Sequence, residues 1–286
     1  KHCDISCDIQ EDRVMKSNSA GMVNQVGLYG RSKEKYSVDS FILQNVRVDN
    51  STMAAAVNWV LNANSKRGVK VGNFINVNSI NLARNNVEFS KVLSSADKSF
   101  ADGSGVRLGA RFQGVNLLDN VNGTDLLPLL CERLSRTDKS VFFLGSSPGV
   151  AKRAAEKLMR QYPGLKVVGC HHGYFSPNED VDIVRKINRS KADICLVAMG
   201  SPQQETWIEQ KRHQLNIGCA LAVGGLFDFY SGRIPRAPLW VRKLGCEWVW
   251  RLAQEPVKKF NRYVIGNPLF VLHLLFDKRG NNHATV

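Results

Sequence analysis

The sequence has no long hydrophobic run. Its longest late apolar stretch, Pro268 to Phe276, is too short to cross a bilayer. No signal peptide is evident. RNA-binding signatures and zinc-finger spacing are missing, which leaves nucleic-acid binding with net charge as its sole support. There is no dinucleotide fingerprint and no Walker loop, so the common nucleotide motifs are excluded. Cysteine offers no disulfide framework, because the seven are odd in number and scattered. Cys195 and Cys219 fall in apolar runs, as reduced core thiols of a cytosolic protein do. Cys3 and Cys7 have no matching His or Cys partners for a metal. Acidic residues are scarce: 25 Asp and Glu face 39 Lys and Arg, a net charge of +14. That imbalance favours an anionic partner, such as a phosphorylated substrate or a membrane surface.

What is present is a regular alternation. Hydrophobic residues make up 43% of the 286, enough for a globular core. The spacing predicts helices over 53–63, 79–96, 150–161 and 178–190, and strands over 69–77, 141–144, 165–168, 194–199 and 219–223. Alternating strands and helices imply an α/β fold, a parallel sheet with helices on both faces. Residues 1–40 are polar and weakly patterned, and read as a loosely ordered leader. Residues 41–230 read as the α/β domain and residues 231–286 as a basic helical appendage. From Ser231 to Arg279 ten Lys or Arg face three acids. Trp240, Leu244, Trp248 and Leu252 recur every four residues as one apolar helical stripe. A basic helix with tryptophans is a pattern of anionic membrane surfaces; packing on a core with a solvated basic face is the alternative.

The run Ile194 to Glu209 is the centre of the pattern. A buried strand ends in Gly200-Ser201-Pro202, Ser201 can cap the helix that follows, and Gln204 and Glu205 fall in its first turn. Free N–H groups at such a turn suit a diphosphate. The Gly145–Gly149 turn offers a second such place, and Gly224 ends the last strand. Asp102, between a strand and Gly103, can either deprotonate a hydroxyl or cap a helix. Thr124 and Asp125 can cap the helix they open. The Asp180-Val181-Asp182 tripeptide matches the metal-binding triplet of many sugar-nucleotide enzymes, but acids also favour a helix's first turn.

Several motifs then agree in order: Asn76 in Ile75-Asn76-Val77, Ala101-Asp102-Gly103, Asn122-Gly123-Thr124-Asp125 and His172-Gly173-Tyr174-Phe175. Gly200 to Glu205, Val223-Gly224-Gly225, Gly232 to Pro238 and Leu244 to Trp248 continue the series. Together they resemble the WecG/TagA/CpsF glycosyltransferases, glycosyltransferase family 26, over roughly residues 70–255. Gly266 to Phe270 resembles the tail of the GumM-like branch.

The resemblance implies a Rossmann-like fold and a peripheral enzyme on the cytoplasmic face of the bacterial inner membrane. The implied reaction moves a hexose from a UDP-sugar donor to a polyprenyl-diphosphate-linked sugar. By branch the sugar is glucose, β-1,4-linked, in exopolysaccharide assembly; N-acetylmannosamine or its uronate is the alternative. Inversion without metal or other cofactor is expected. Asp102 matches the family's base. Asn76 and Gln204 match polar pocket positions, and Arg233 and Arg236 match basic positions of the appendage. Gly145, Gly200, Glu205 and Gly224 complete the expected substrate site. Two departures stand out: Gln203 where many members have lysine, and Asn120 where many have arginine. A homo-oligomer is compatible with all of this. So is a rival class, a module that binds anionic membranes or nucleotides without catalysis.

Overall fold

Apolar runs with both faces buried decide the architecture. In the computed structural model, which describes residues 38–281, these runs form the inner strands of an eight-stranded sheet. The strands are β1 (Ser40–Leu43), β2 (Val46–Asp49), β3 (Lys70–Ile75), β4 (Lys98–Ala101), β5 (Ser140–Gly145), β6 (Lys166–His171), β7 (Ile194–Ala198) and β8 (Cys219–Ala222). Their order is β1-β2-β4-β3-β8-β7-β5-β6. Every pairing is parallel except β1 with β2. Every residue of β5, β7 and β8 is buried, as strands covered on both faces require.

Helices cover both faces. The helices α1 (Met53–Leu61), α2 (Val77–Asn85), α3 (Val87–Ser95), α4 (Ser104–Phe112), α5 (Gly123–Leu134) and α6 (Val150–Gln161) precede α7 (Asp180–Ser190), α8 (Gln203–Lys211) and α9 (Leu226–Tyr230). Phe74, Phe143, Leu196 and Leu221 point into one core with α1, α5, α6 and α9. Val71, Phe142, Val197 and Ala220 point the other way, against α7 and α8. A third cluster joins β1 and β2 to α2, α3 and α4.

The structure corrects several sequence boundaries. The single helix expected over 79–96 is two, because Asn76 rather than Ser79 caps α2 and Asn86 ends it and caps α3. Asn122, not Thr124 or Asp125, caps α5. At α8 the cap position is Pro202, one residue late, and Ser201 binds Glu205 instead. The hairpin β1–β2 escapes the parallel reading. Gln44 and Asn45 both take positive φ, which suits a two-residue turn between antiparallel strands. Within the leader expected over 1–40, Ser40 already opens β1; its residues 1–37, with Cys3 and Cys7, lie outside the described residues.

The apolar stripe from Trp240 to Leu252 is not one helix. Gly245 takes φ +71 and breaks it into α10 (Leu239–Lys243) and α11 (Glu247–Gln254). Then come α12 (Pro256–Phe260), a π-helical turn over Asn261–Ile265, and α13 (Gly266–Asn281). These helices belong to the same compact unit as the sheet. Phe270 and Leu274 of α13 are buried in the third core cluster, and the amide NH₂ of Asn81 donates to the Gly266 carbonyl at 2.8 Å. No described helix is long and apolar enough to cross a membrane.

Candidate functional site

Because the strands are parallel, β3, β4, β5, β7 and β8 all end on one edge of the sheet. Chain order reverses there: the strand that follows β4 is β5, on the far side of β3 and β8. Such a reversal opens a crevice at the carboxyl ends, where α/β sheets bind ligands. A cleft of about 1140 Å³ occupies this place, and α11, α12, the π turn and α13 form its far wall.

Asp102 lies in it, one residue beyond β4. Its N–H donates to the Ile75 carbonyl at 2.8 Å, extending the ladder by one rung. Its Oδ2 accepts from the Asn76 amide at 3.4 Å, while Asn76 Oδ1 caps α2 through the Ser79 N–H. Asp102 is not a helix cap: Gly103 holds that position of α4, with no side-chain bond. The carboxyl opens to the cleft on one side and is otherwise enclosed. Burial pushes its pKa up to about 6; the Asn76 bond and Arg262 hold it down, and Glu247 and Asp125 push it further up. A carboxylate in this range is poised to accept a proton near neutral pH.

The glycine turns behave differently from expectation. Gly145 does not line the cleft. It takes φ +136 and a Cβ there would stand 2.3 Å from the Ala198 carbonyl oxygen, so its need is close approach to β7. The next amide, Ser146, donates to that same oxygen at 2.8 Å. Gly200 and Gly224 do line the cleft, but their N–H groups both donate to Gln204 Oε1, at 3.2 and 2.9 Å. These backbone amides are therefore already engaged and not free to hold a diphosphate.

Gln204 lines the cleft as a brace between two turns. Glu205 does not reach the cleft; it is buried and accepts from Ser201 Oγ at 2.6 Å and from the Gln204 amide at 2.9 Å. Burial raises its pKa, against those two bonds. Arg233 reaches the cleft and bridges Ser147 Oγ at 2.8 Å and Asp228 at 3.3 Å. Arg236 stays outside, paired with Asp125 at 2.6 Å and Glu247 at 3.7 Å.

Sequence reasoning missed much of the cationic wall. Arg242, Arg251, Lys258, Lys259 and Arg262 line the cleft beside Arg233. Lys259 is pushed below the usual lysine range, first by burial and then by Arg262 and Arg251. Arg251 packs its guanidinium over the Phe229 ring at 4.5 Å. The surplus of Lys and Arg after Ser231 signalled these groups, but only packing shows which face the cleft.

The acidic triplet has other partners. Asp180 pairs with Lys211 at 2.7 Å and accepts the Trp207 indole N–H at 2.8 Å, and Asp182 pairs with Arg185. Among the described residues no three His, Cys, Asp or Glu gather as a metal site would require.

An enclosed carboxylate facing a cationic wall, at the switch point of an α/β sheet, fits a transferase acting on phosphorylated substrates. The model of the glycosyl transferase WecG/TagA/CpsF family matches residues 41–284, and the chain belongs to that family of glycosyltransferases. It is 33% identical over 199 residues to the N-acetylglucosaminyldiphosphoundecaprenol N-acetyl-beta-D-mannosaminyltransferase of Bacillus spizizenii (strain ATCC 23059 / NRRL B-14472 / W23), covering 70% of this chain and 76% of that one. The enzyme of the same name from Bacillus subtilis (strain 168) is 29% identical over 192 residues, covering 67% and 73%. These names give no support to the glucose and exopolysaccharide reading, and they favour the alternative.

Proposed function

We propose that this glycosyltransferase moves N-acetylmannosamine from a UDP-sugar to an N-acetylglucosaminyl diphosphate carried on a polyprenol. The observation that carries the reading is Asp102, held by Asn76 and raised to about 6, opposite the cationic wall. The relatives' names supply the sugars.

In this reading the acceptor hydroxyl loses its proton to Asp102 as its oxygen attacks the anomeric carbon. The bond to the UDP oxygen breaks on the opposite face, so configuration inverts. Negative charge grows on the departing diphosphate. Since Gln204 engages the amides of Gly200 and Gly224, that charge falls to side chains such as Arg233, Arg251 and Arg262. Tyr174, largely exposed at the cleft, offers a face for a base to stack on.

The lipid-linked acceptor places the reaction at a membrane surface. Leu239, Trp240, Leu244, Val257 and Phe260 are exposed on α10 and α12 and the turn after α10, near Lys243 and Lys258. That mixture suits an anionic interface, with the 231–286 segment as the docking element.

The test is transfer to a synthetic N-acetylglucosaminyl diphosphate lipid from a panel of UDP-sugars, read by mass. One added N-acetylhexosamine from UDP-N-acetylmannosamine, absent with Asp102→Asn, is the expected result. Product from UDP-glucose instead would restore the other donor, and full turnover by the variant would remove Asp102 as base.

A further inference from the structure

The chain must leave the sheet immediately after the base. Asp102 is fixed on its own N–H side by the Ile75 carbonyl. Gly103 then turns outward with φ +97, a conformation glycine adopts freely. No side-chain cap holds the start of α4. The first turn of α4 holds the Gly103 carbonyl through the Arg107 N–H at 3.3 Å, and Asn76 holds the Asp102 carboxyl at 3.4 Å. The Gly103 N–H, in the peptide that joins the two residues, is held from outside both β4 and α4.

One group from elsewhere supplies the restraint. Asn120 Oδ1 accepts the Gly103 N–H at 2.6 Å. Asn120 is itself well anchored: Val121 beside it is buried, and Asn122 caps α5 through the Asp125 N–H at 2.8 Å. Both Asn120 and Gly103 line the cleft.

We propose that Asn120 is a positioning residue for Asp102, whose side-chain oxygen pins the peptide behind the carboxylate and fixes its aim at the acceptor hydroxyl. This rests on the reading of Asp102 as base. The bond requires an acceptor at position 120, so Asp can replace Asn in it and Ala cannot. Asp also introduces a negative charge beside a carboxyl already faced by Arg262 from the π turn, Glu247 from α11 and Asp125 from α5.

The experiment compares the full chain with Asn120→Ala, Asn120→Asp and Asp102→Asn. It measures kcat and KM across pH and follows the Asp102 carboxyl carbon by NMR. Asn120→Ala should lose roughly ten- to hundredfold in kcat, with KM for the nucleotide sugar within about twofold. Asn120→Asp should recover most of kcat at high pH, with the acidic limb and the Asp102 titration moved up by about one pH unit. Wild-type kcat in Asn120→Ala, a loss confined to KM, or no recovery in Asn120→Asp would each overturn the proposal. An unmoved Asp102 titration in Asn120→Asp would overturn it without any turnover being needed. Full activity of Asp102→Asn would sink the base itself; an inert Asp102→Asn beside a normal Asn120→Ala would sink only the clamp.

Discussion

Gln204 Oε1 accepts the N–H of Gly224 at 2.9 Å while also holding the N–H of Gly200, so one side chain joins the turns after β7 and β8. Its amide NH₂ in turn donates to the buried carboxyl of Glu205 at 2.9 Å. Gln204→Ala leaves two amides and one buried acid short of partners. It should destabilise the protein by about 1–3 kcal/mol. Binding of the nucleotide sugar should weaken as the two turns loosen. Thermal melting with calorimetric titration of UDP checks both, and a variant that melts and binds like wild type would refute the brace.

The carboxyl of Asp102, pushed up to about 6, sets a pH window. A base must be ionised, so kcat/KM should rise with pH through about 6 and level off above it. Stability runs the other way. The folded pKa lies above the ordinary 3.8, so the native state binds the extra proton and loses stability as pH rises from about 4 to 6. Asp102→Asn removes that penalty. It should melt higher than wild type at pH 8, by at most about 3 kcal/mol and less because one side of the carboxyl meets cleft water. The gap should close below pH 4. An equal gap at pH 4 and pH 8 would contradict the cause.

Glu247 and Arg262 act on Asp102 with opposite signs. Glu247→Gln should move the acidic limb of kcat/KM down, and Arg262→Gln should move it up. Arg262→Gln should also lower kcat, since it removes a cation from the wall that meets the leaving diphosphate. A pH–rate series on the two variants tests this; shifts of the same sign would show that neither charge reaches Asp102.

The exposed apolar side chains of the C-terminal helices predict membrane docking. Trp240 and Leu244 are 67% and 69% exposed. Changing both to Ser should reduce binding to anionic lipid vesicles by about tenfold, while UDP affinity stays at the wild-type value. Vesicle sedimentation at low and high salt measures it. Undiminished binding would place the docking surface elsewhere.

The parallel sheet was legible in the sequence because its inner strands are short apolar runs between turn residues, and burial on both faces writes that pattern directly. The carboxyl-end position of Asn76, Asp102, Gly200 and Gly224 followed from the same strand boundaries. Helix ends were less legible. Asn76, Asn86 and Asn122 all cap, yet Ser and Thr nearby were equally eligible, and only backbone geometry selects among them.

Tertiary structure alone decided what each polar group does. Sequence spacing offered the turns at Gly145 and Gly200 to a diphosphate, but Gly145 stays outside the cleft and Gln204 folds back to take the Gly200 amide together with that of Gly224. Arg233 and Arg236 looked equivalent three residues apart, yet one faces the cleft and the other is bound by Asp125 and Glu247. Hydrogen bonds and ion pairs depend on angstrom-scale contacts between segments far apart in the chain, which periodicity does not encode. Hydrophobic burial is a property of each residue and its near neighbours. The sequence therefore determined the layers of this protein, and packing between distant segments determined the charge and the aim of its cleft.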